Sequence, residues 1–76
     1  MSPDAHTKLV YMANQIAKFM ESKPQAEGIA LLAAHINDFW EPRMRNHLFD
    51  ILDAGGEGLR PIVVLAAAQI RRPLAA

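Results

Sequence analysis

Two histidine–carboxylate pairs are the first places in this chain where chemistry could sit, His35 with Asp38 and His47 with Asp50. A three-residue spacing puts both members of a pair on one helical face, and a neutral imidazole with a carboxylate can hold a divalent ion. Both pairs fall off the apolar stripes, and nothing nearby completes the closed ligand shell of a zinc-type site. They read as solvated helix surface. The run Gly55-Gly56-Glu57-Gly58 is the next candidate. A phosphate-cradling loop places its glycines at a helix start, commonly after a strand and with a lysine. Here a helix precedes, no lysine follows, and Glu57 would repel an anion. The run therefore reads as a helix stop and hinge whose bare backbone could press against a partner. Nucleophilic catalysis has little to draw on. There is no cysteine, Ser2 and Ser22 are placed as helix caps, and Thr7 lies in an opening turn.

Arg43, Arg45, Arg60, Arg71 and Arg72 form a third constellation, with Phe39 and Trp40 just before Arg43. Arginine beside aromatic rings can stack the bases of single-stranded nucleic acid. Asp38, Glu41, Asp50, Asp53 and Glu57 interrupt that basic surface, and eight basic against eight acidic residues leave a formal net charge of zero. Phosphate binding normally needs a basic surplus. Charge-assisted bonds to a protein partner suit these arginines better, since Arg and Trp concentrate at interface hot spots. Trp40 also reads equally well as core packing.

The elements that must position these residues are helices. Leu9, Met12, Ala13, Ile16, Phe19 and Met20 recur with the 3.6-residue period and predict a helix over 3–21, opened by Ser2-Pro3-Asp4. Ser22-Lys23-Pro24-Gln25 reads as a capping box for a second helix, 24–40, with Ile29, Leu32, Ala33, Ile36, Phe39 and Trp40 inward. Gly28 weakens its first turn by at most about 1 kcal/mol relative to alanine. The short, proline-bearing connection favours an antiparallel hairpin. Pro42 cannot continue a helix without a cost of about 3 kcal/mol. It predicts a corner and a third helix over 42–54, with Met44, Leu48, Ile51 and Leu52 inward and Gly55-Gly56 ending it. A fourth helix is expected over 61–72, where Ile62 and Leu65 add apolar surface on a second side and invite a partner.

With 76 residues the chain is expected to form a single domain over 1–76, all-α, a small bundle of three to four short helices. Such a domain buries about 60% of its unfolded surface and has no disulfide to help it, which favours life in a complex. Hydrophobic residues make up 51%, yet no run reaches the about 18 apolar residues of a membrane span. The opening residues lack the pattern of a secretory signal, so a cytoplasmic location is expected. Without a family to compare, an autonomous helical regulator or nucleic-acid-binding module stays open beside a subunit role.

Three segments carry a family resemblance: Lys8-Leu9-Val10-Tyr11-Met12-Ala13-Asn14-Gln15-Ile16, His35-Ile36-Asn37-Asp38-Phe39-Trp40-Glu41-Pro42-Arg43-Met44-Arg45, and Gly55-Gly56-Glu57-Gly58-Leu59. With the proline-led apolar stretch 61–70, they resemble the delta subunit of cytoplasmic NAD-dependent formate dehydrogenase over most of residues 8–73. The resemblance implies an accessory, non-catalytic subunit in a complex that oxidises formate and reduces NAD. It implies molybdenum bis-pterin and iron–sulfur clusters in the large catalytic subunit, FMN in another subunit, and no cofactor in this chain. The implied role is assembly or stabilisation of the catalytic subunit and its cofactor. No catalytic residues carry over. The residues expected to meet the partner are Phe39, Trp40, Pro42, Arg43 and Arg45 at the corner, Gly56, Glu57 and Gly58 at the turn, and Ile62 and Leu65 on the last helix.

Overall fold

Apolar residues at helical spacing, broken by Pro24, Pro42 and Pro61, divide the chain into four helices. The computed structural model describes residues 5–73. Helix α1 spans Ala5–Met20, α2 Gln25–Phe39, α3 Pro42–Asp53 and α4 Pro61–Ala66, followed by a 3-10 turn, Ala67–Gln69. Among the described residues there is no strand. The start signal Ser2-Pro3-Asp4 falls outside them.

The inner line of α1 is Leu9, Ala13 and Ala17, which lets α2 approach closely over two small side chains. Met12 and Phe19, expected on that line, are rotated outward. The buried residues step by four along the helix, and Phe19 falls on the other side of that line. The capping box does not form. Ser22 turns back and donates from Oγ to the Phe19 carbonyl at 2.8 Å, finishing α1 instead of opening α2. Pro24 occupies the N-cap position of α2, with no side-chain cap.

Gly28 has a different meaning from its propensity. A Cβ built there would stand 2.6 Å from the carbonyl oxygen of Met20 and 3.3 Å from Cδ1 of Ile62. The absence of a side chain brings the end of α1, the first turn of α2 and α4 together.

Helix α2 buries Leu32, Ala33 and Ile36 and ends at Phe39. Trp40 leaves the helical region at φ −88° and ψ 126°, which swings its indole inward to 5% exposure. Phe39, one residue earlier, stays 75% exposed. It was expected inward with Trp40, but the change of backbone conformation between them sends the two rings to opposite sides. Glu41 remains extended and Pro42 opens α3 at its first turn, where no N–H is needed. Leu48, Phe49 and Ile51 are buried on α3. The helix closes with a left-handed glycine stop: Gly55 N–H donates to Leu52 O at 3.1 Å and Gly56 N–H to Ile51 O at 2.8 Å. Gly55 and Gly56 take φ +117° and +68°, values that suit glycine.

The expected fourth helix over 61–72 is cut short. Its α-helical part covers six residues, and after the 3-10 turn Ile70 is extended at φ −88° and ψ 130°. Leaving the helix carries Ile70 into the core, where it is 5% exposed. Two asparagines frame this element. Asn14 of α1 donates from Nδ2 to Gly58 O at 2.8 Å and accepts from Arg60 N–H at 2.9 Å. Asn37 of α2 does the same after the helix, to Gln69 O at 3.0 Å and from Arg71 N–H at 2.7 Å. Each side-chain amide thus pairs with a short extended segment as a neighbouring strand would, satisfying main-chain groups that no helix can satisfy.

Candidate partner-docking surface

The corner is built from main-chain carbonyls and one arginine. Arg45, in the first turn of α3, donates from Nη1 to Trp40 O at 2.9 Å and from Nε to Arg71 O at 3.1 Å. It ties the break between α2 and α3 to the segment after α4. Arg72 lies over the Phe49 ring at 4.2 Å and reaches Asp53 at 3.3 Å. These bonds leave Arg45 and Arg72 engaged within the chain.

At the opposite end, Arg60 meets Glu21 in a two-pronged pair, Nε to Oε2 at 2.7 Å and Nη2 to Oε1 at 2.8 Å. Hydrogen bonding from Arg60 holds the Glu21 carboxyl below its ordinary value of 4.5 and its charge adds to the effect, while desolvation opposes it. A carboxyl whose pKa is depressed by folding stabilises the fold above the unfolded value, and that contribution disappears as pH falls through the lower, folded value. Acid denaturation followed by circular dichroism should therefore show Glu21→Gln with a flatter stability profile below pH about 4.5 than the parent chain. The exposed geometry keeps the effect small. Identical acid profiles would show that the pair adds nothing to folding.

The expected contact residues divide between surface and interior. Phe39 is exposed and lies against the His35 ring at a centroid distance of 4.7 Å. Pro42, Arg43, Glu57 and Gly58 are exposed, and Leu65 is 49% exposed. Trp40, Gly56 and Ile62 are buried within the chain, with only an edge of Ile62 reaching the groove beside Pro61 and Leu65. Arg45 is half-buried with its donors committed to carbonyls. The two histidine pairs lie apart from each other in their contacts. His35 rests on Phe39, His47 meets His6 edge-on at 6.0 Å, and among the described residues no three His, Asp or Glu side chains converge.

One surface feature joins Arg43 and His47, singled out separately from sequence, to residues not assigned to any site. Leu9 and Met12 of α1 and Met44 of α3 floor a groove of about 250 Å³, rimmed by Lys8, Glu41, Arg43 and His47. Met12 and Met44 each belong to a recognisable stripe. Their convergence depends on how α1 and α3 pack, which spacing along one helix cannot supply.

A family model described as NADH-dependant formate dehydrogenase delta subunit FdsD matches residues 8–67. The chain belongs to this family. The match takes in α1, α2 and α3, the corner, the glycine stop and the whole of α4. The resemblance carried by the three sequence segments is therefore correct as to family. Comparison with curated proteins gives no match. The family's description is that of one subunit of a formate dehydrogenase. The family implies metal and redox groups in the complex, and for one class of them the donors of this chain can be compared directly. Iron–sulfur clusters are held by cysteine thiolates, of which the sequence has none. No described helix of this family member is long and apolar enough to cross a membrane.

Proposed function

We propose that the chain is a non-catalytic delta subunit of an NAD-dependent, molybdenum-pterin formate dehydrogenase. It binds the large catalytic subunit in the cytoplasm and assists the assembly or stability of that subunit with its cofactor. The observation that carries this reading is the family match over residues 8–67. The contact surface we assign comprises Phe39, Pro42 and Arg43 at the corner, Glu57 and Gly58 at the turn, and Leu65 on α4. Trp40, Gly56 and Ile62 support it from beneath, and Arg45 fixes the angle of the corner.

The test is co-expression of the tagged chain with the other dehydrogenase subunits, followed by affinity purification. The large subunit should be recovered with the tag. Large subunit made without the delta chain should hold less molybdenum and oxidise formate more slowly. Equal molybdenum content and equal activity with and without the chain would overturn the assembly role.

A further inference from the structure

We infer that the groove between α1 and α3 receives a bulky apolar side chain carried on an acidic segment of a partner dehydrogenase subunit. This rests on the subunit role proposed above and names the contact through which it acts. The size of the groove fits one anchor. A dry cavity of about 150 Å³ already accepts a benzene ring, and this open groove measures about 250 Å³. Its floor is made for adaptation, because Met12 and Met44 are unbranched and reshape around what they cover.

Charge decides the character of the occupant. Among the described residues the ion pairs are Arg60 with Glu21 and Arg72 with Asp53, both away from the groove. Lys8 and Arg43, on the two rims, take part in neither and carry their charge to solvent. Among the described residues Glu41 is the one carboxylate in the lining, against Lys8 and Arg43. The groove also runs beside the opening turn of α3, whose partial positive end adds to Arg43 and is answered in part by Glu41 at the N-cap position. A second groove of about 240 Å³, beside Pro61 and Leu65, is different: its Glu21 is already bonded to Arg60, and its Lys23 lies over the Phe19 ring. The α1–α3 groove thus offers an apolar floor under a cationic rim, and carboxylates flanking an apolar anchor complement it.

The experiment uses the full chain, tagged and co-expressed with the dehydrogenase subunits. Lys8→Glu with Arg43→Glu should reduce recovery of the large subunit about tenfold or more, since like charges across an interface cost several kcal/mol. Met12→Asp should reduce it similarly, and parent recovery should fall as salt rises. Lys18→Glu, on the separate surface shared with Tyr11 and Arg60, should leave recovery unchanged. Isolated Met12→Asp and parent chains should melt together, which separates docking from folding. Undiminished recovery with both groove variants would overturn the inference while leaving the subunit role standing. A lower melting temperature for Met12→Asp would also overturn it, by making the groove part of the chain's own packing. The same holds for a concentration-dependent homodimer abolished by Met12→Asp, which would make a second copy the occupant. Parent chain that recovers no dehydrogenase subunit would remove both proposals.

Discussion

Trp40→Ala should lower the unfolding free energy by about 3–5 kcal/mol, the usual loss when a buried tryptophan is truncated. At about 0.05–0.15 kcal/mol per residue, a chain of this length has only about 4–11 kcal/mol to lose. Urea denaturation followed by circular dichroism should show the midpoint displaced far toward zero, or no folded baseline at all. The indole is 5% exposed and sits in the same cluster as Leu32, Ile36, Leu48 and Ile70, so its removal opens a cavity where three helices and the final extended segment meet. A shift below about 1 kcal/mol would mean that the corner collapses around the missing ring, as well-relaxed sites can. The result also governs how interface data are read. Weaker recovery of a partner by Trp40→Ala would report unfolding, whereas exposed Arg43 can be changed without touching the core.

Gly28→Ala should also destabilise, by about 1–3 kcal/mol, because overpacking a tight contact forces neighbours apart. Helix propensity alone gives the opposite sign, a gain of up to about 1 kcal/mol for alanine. The neighbour decides between them. A flexible side-chain tip could move aside, but the nearest atom is the backbone carbonyl of Met20, at 2.6 Å from the added carbon. That carbonyl already accepts the Lys23 N–H at 3.1 Å in the connection between α1 and α2. Moving it would disturb the turn as well as the helix. A lower urea midpoint for Gly28→Ala is the expected result, and a higher one would show slack in the connection that the close approach does not suggest.

Helices α2 and α3, the proline corner and the glycine stop were legible because each is dictated within a few residues. Pro42 denies the helix a donor, and Gly55 and Gly56 accept backbone angles that other residues resist. The places that escaped depend on partners remote in sequence. Phe39 and Trp40 look alike in a periodic pattern, and only the exact end of α2 separates an outward ring from an inward one. Ser22 had the right spacing for a cap, but the carbonyls ending α1 stood nearer. Helix α4 carries residues that could continue it, yet Asn37 bonds Gln69 O and Arg71 N–H, and the core takes in Ile70, once the chain turns extended at Ile70. Of the candidate site, the corner was visible as a composition of rings and arginines, while the groove was not. Its floor comes from helices separated in the chain by all of α2, and the meeting of Lys8 with Arg43 across it exists only in three dimensions.

The asparagine clamps also determine which substitutions the chain can absorb. Each grips a main-chain carbonyl and a main-chain amide two residues apart, around a middle residue, Leu59 or Ile70, that packs on the core. The side chains of Gly58, Arg60, Gln69 and Arg71 play no part in the grip itself. As far as the clamps are concerned, positions 60, 69 and 71 are free to drift, except that proline at 60 or 71 would remove the amide being held, while position 58 keeps glycine because its φ is +89°. The constraint falls instead on Asn14 and Asn37, because one short side chain must present a donor and an acceptor side by side. Aspartate lacks the donor, leucine lacks both, and glutamine is longer by a methylene. A segment permissive in its own sequence is thereby specified by two residues that lie elsewhere, on α1 and α2.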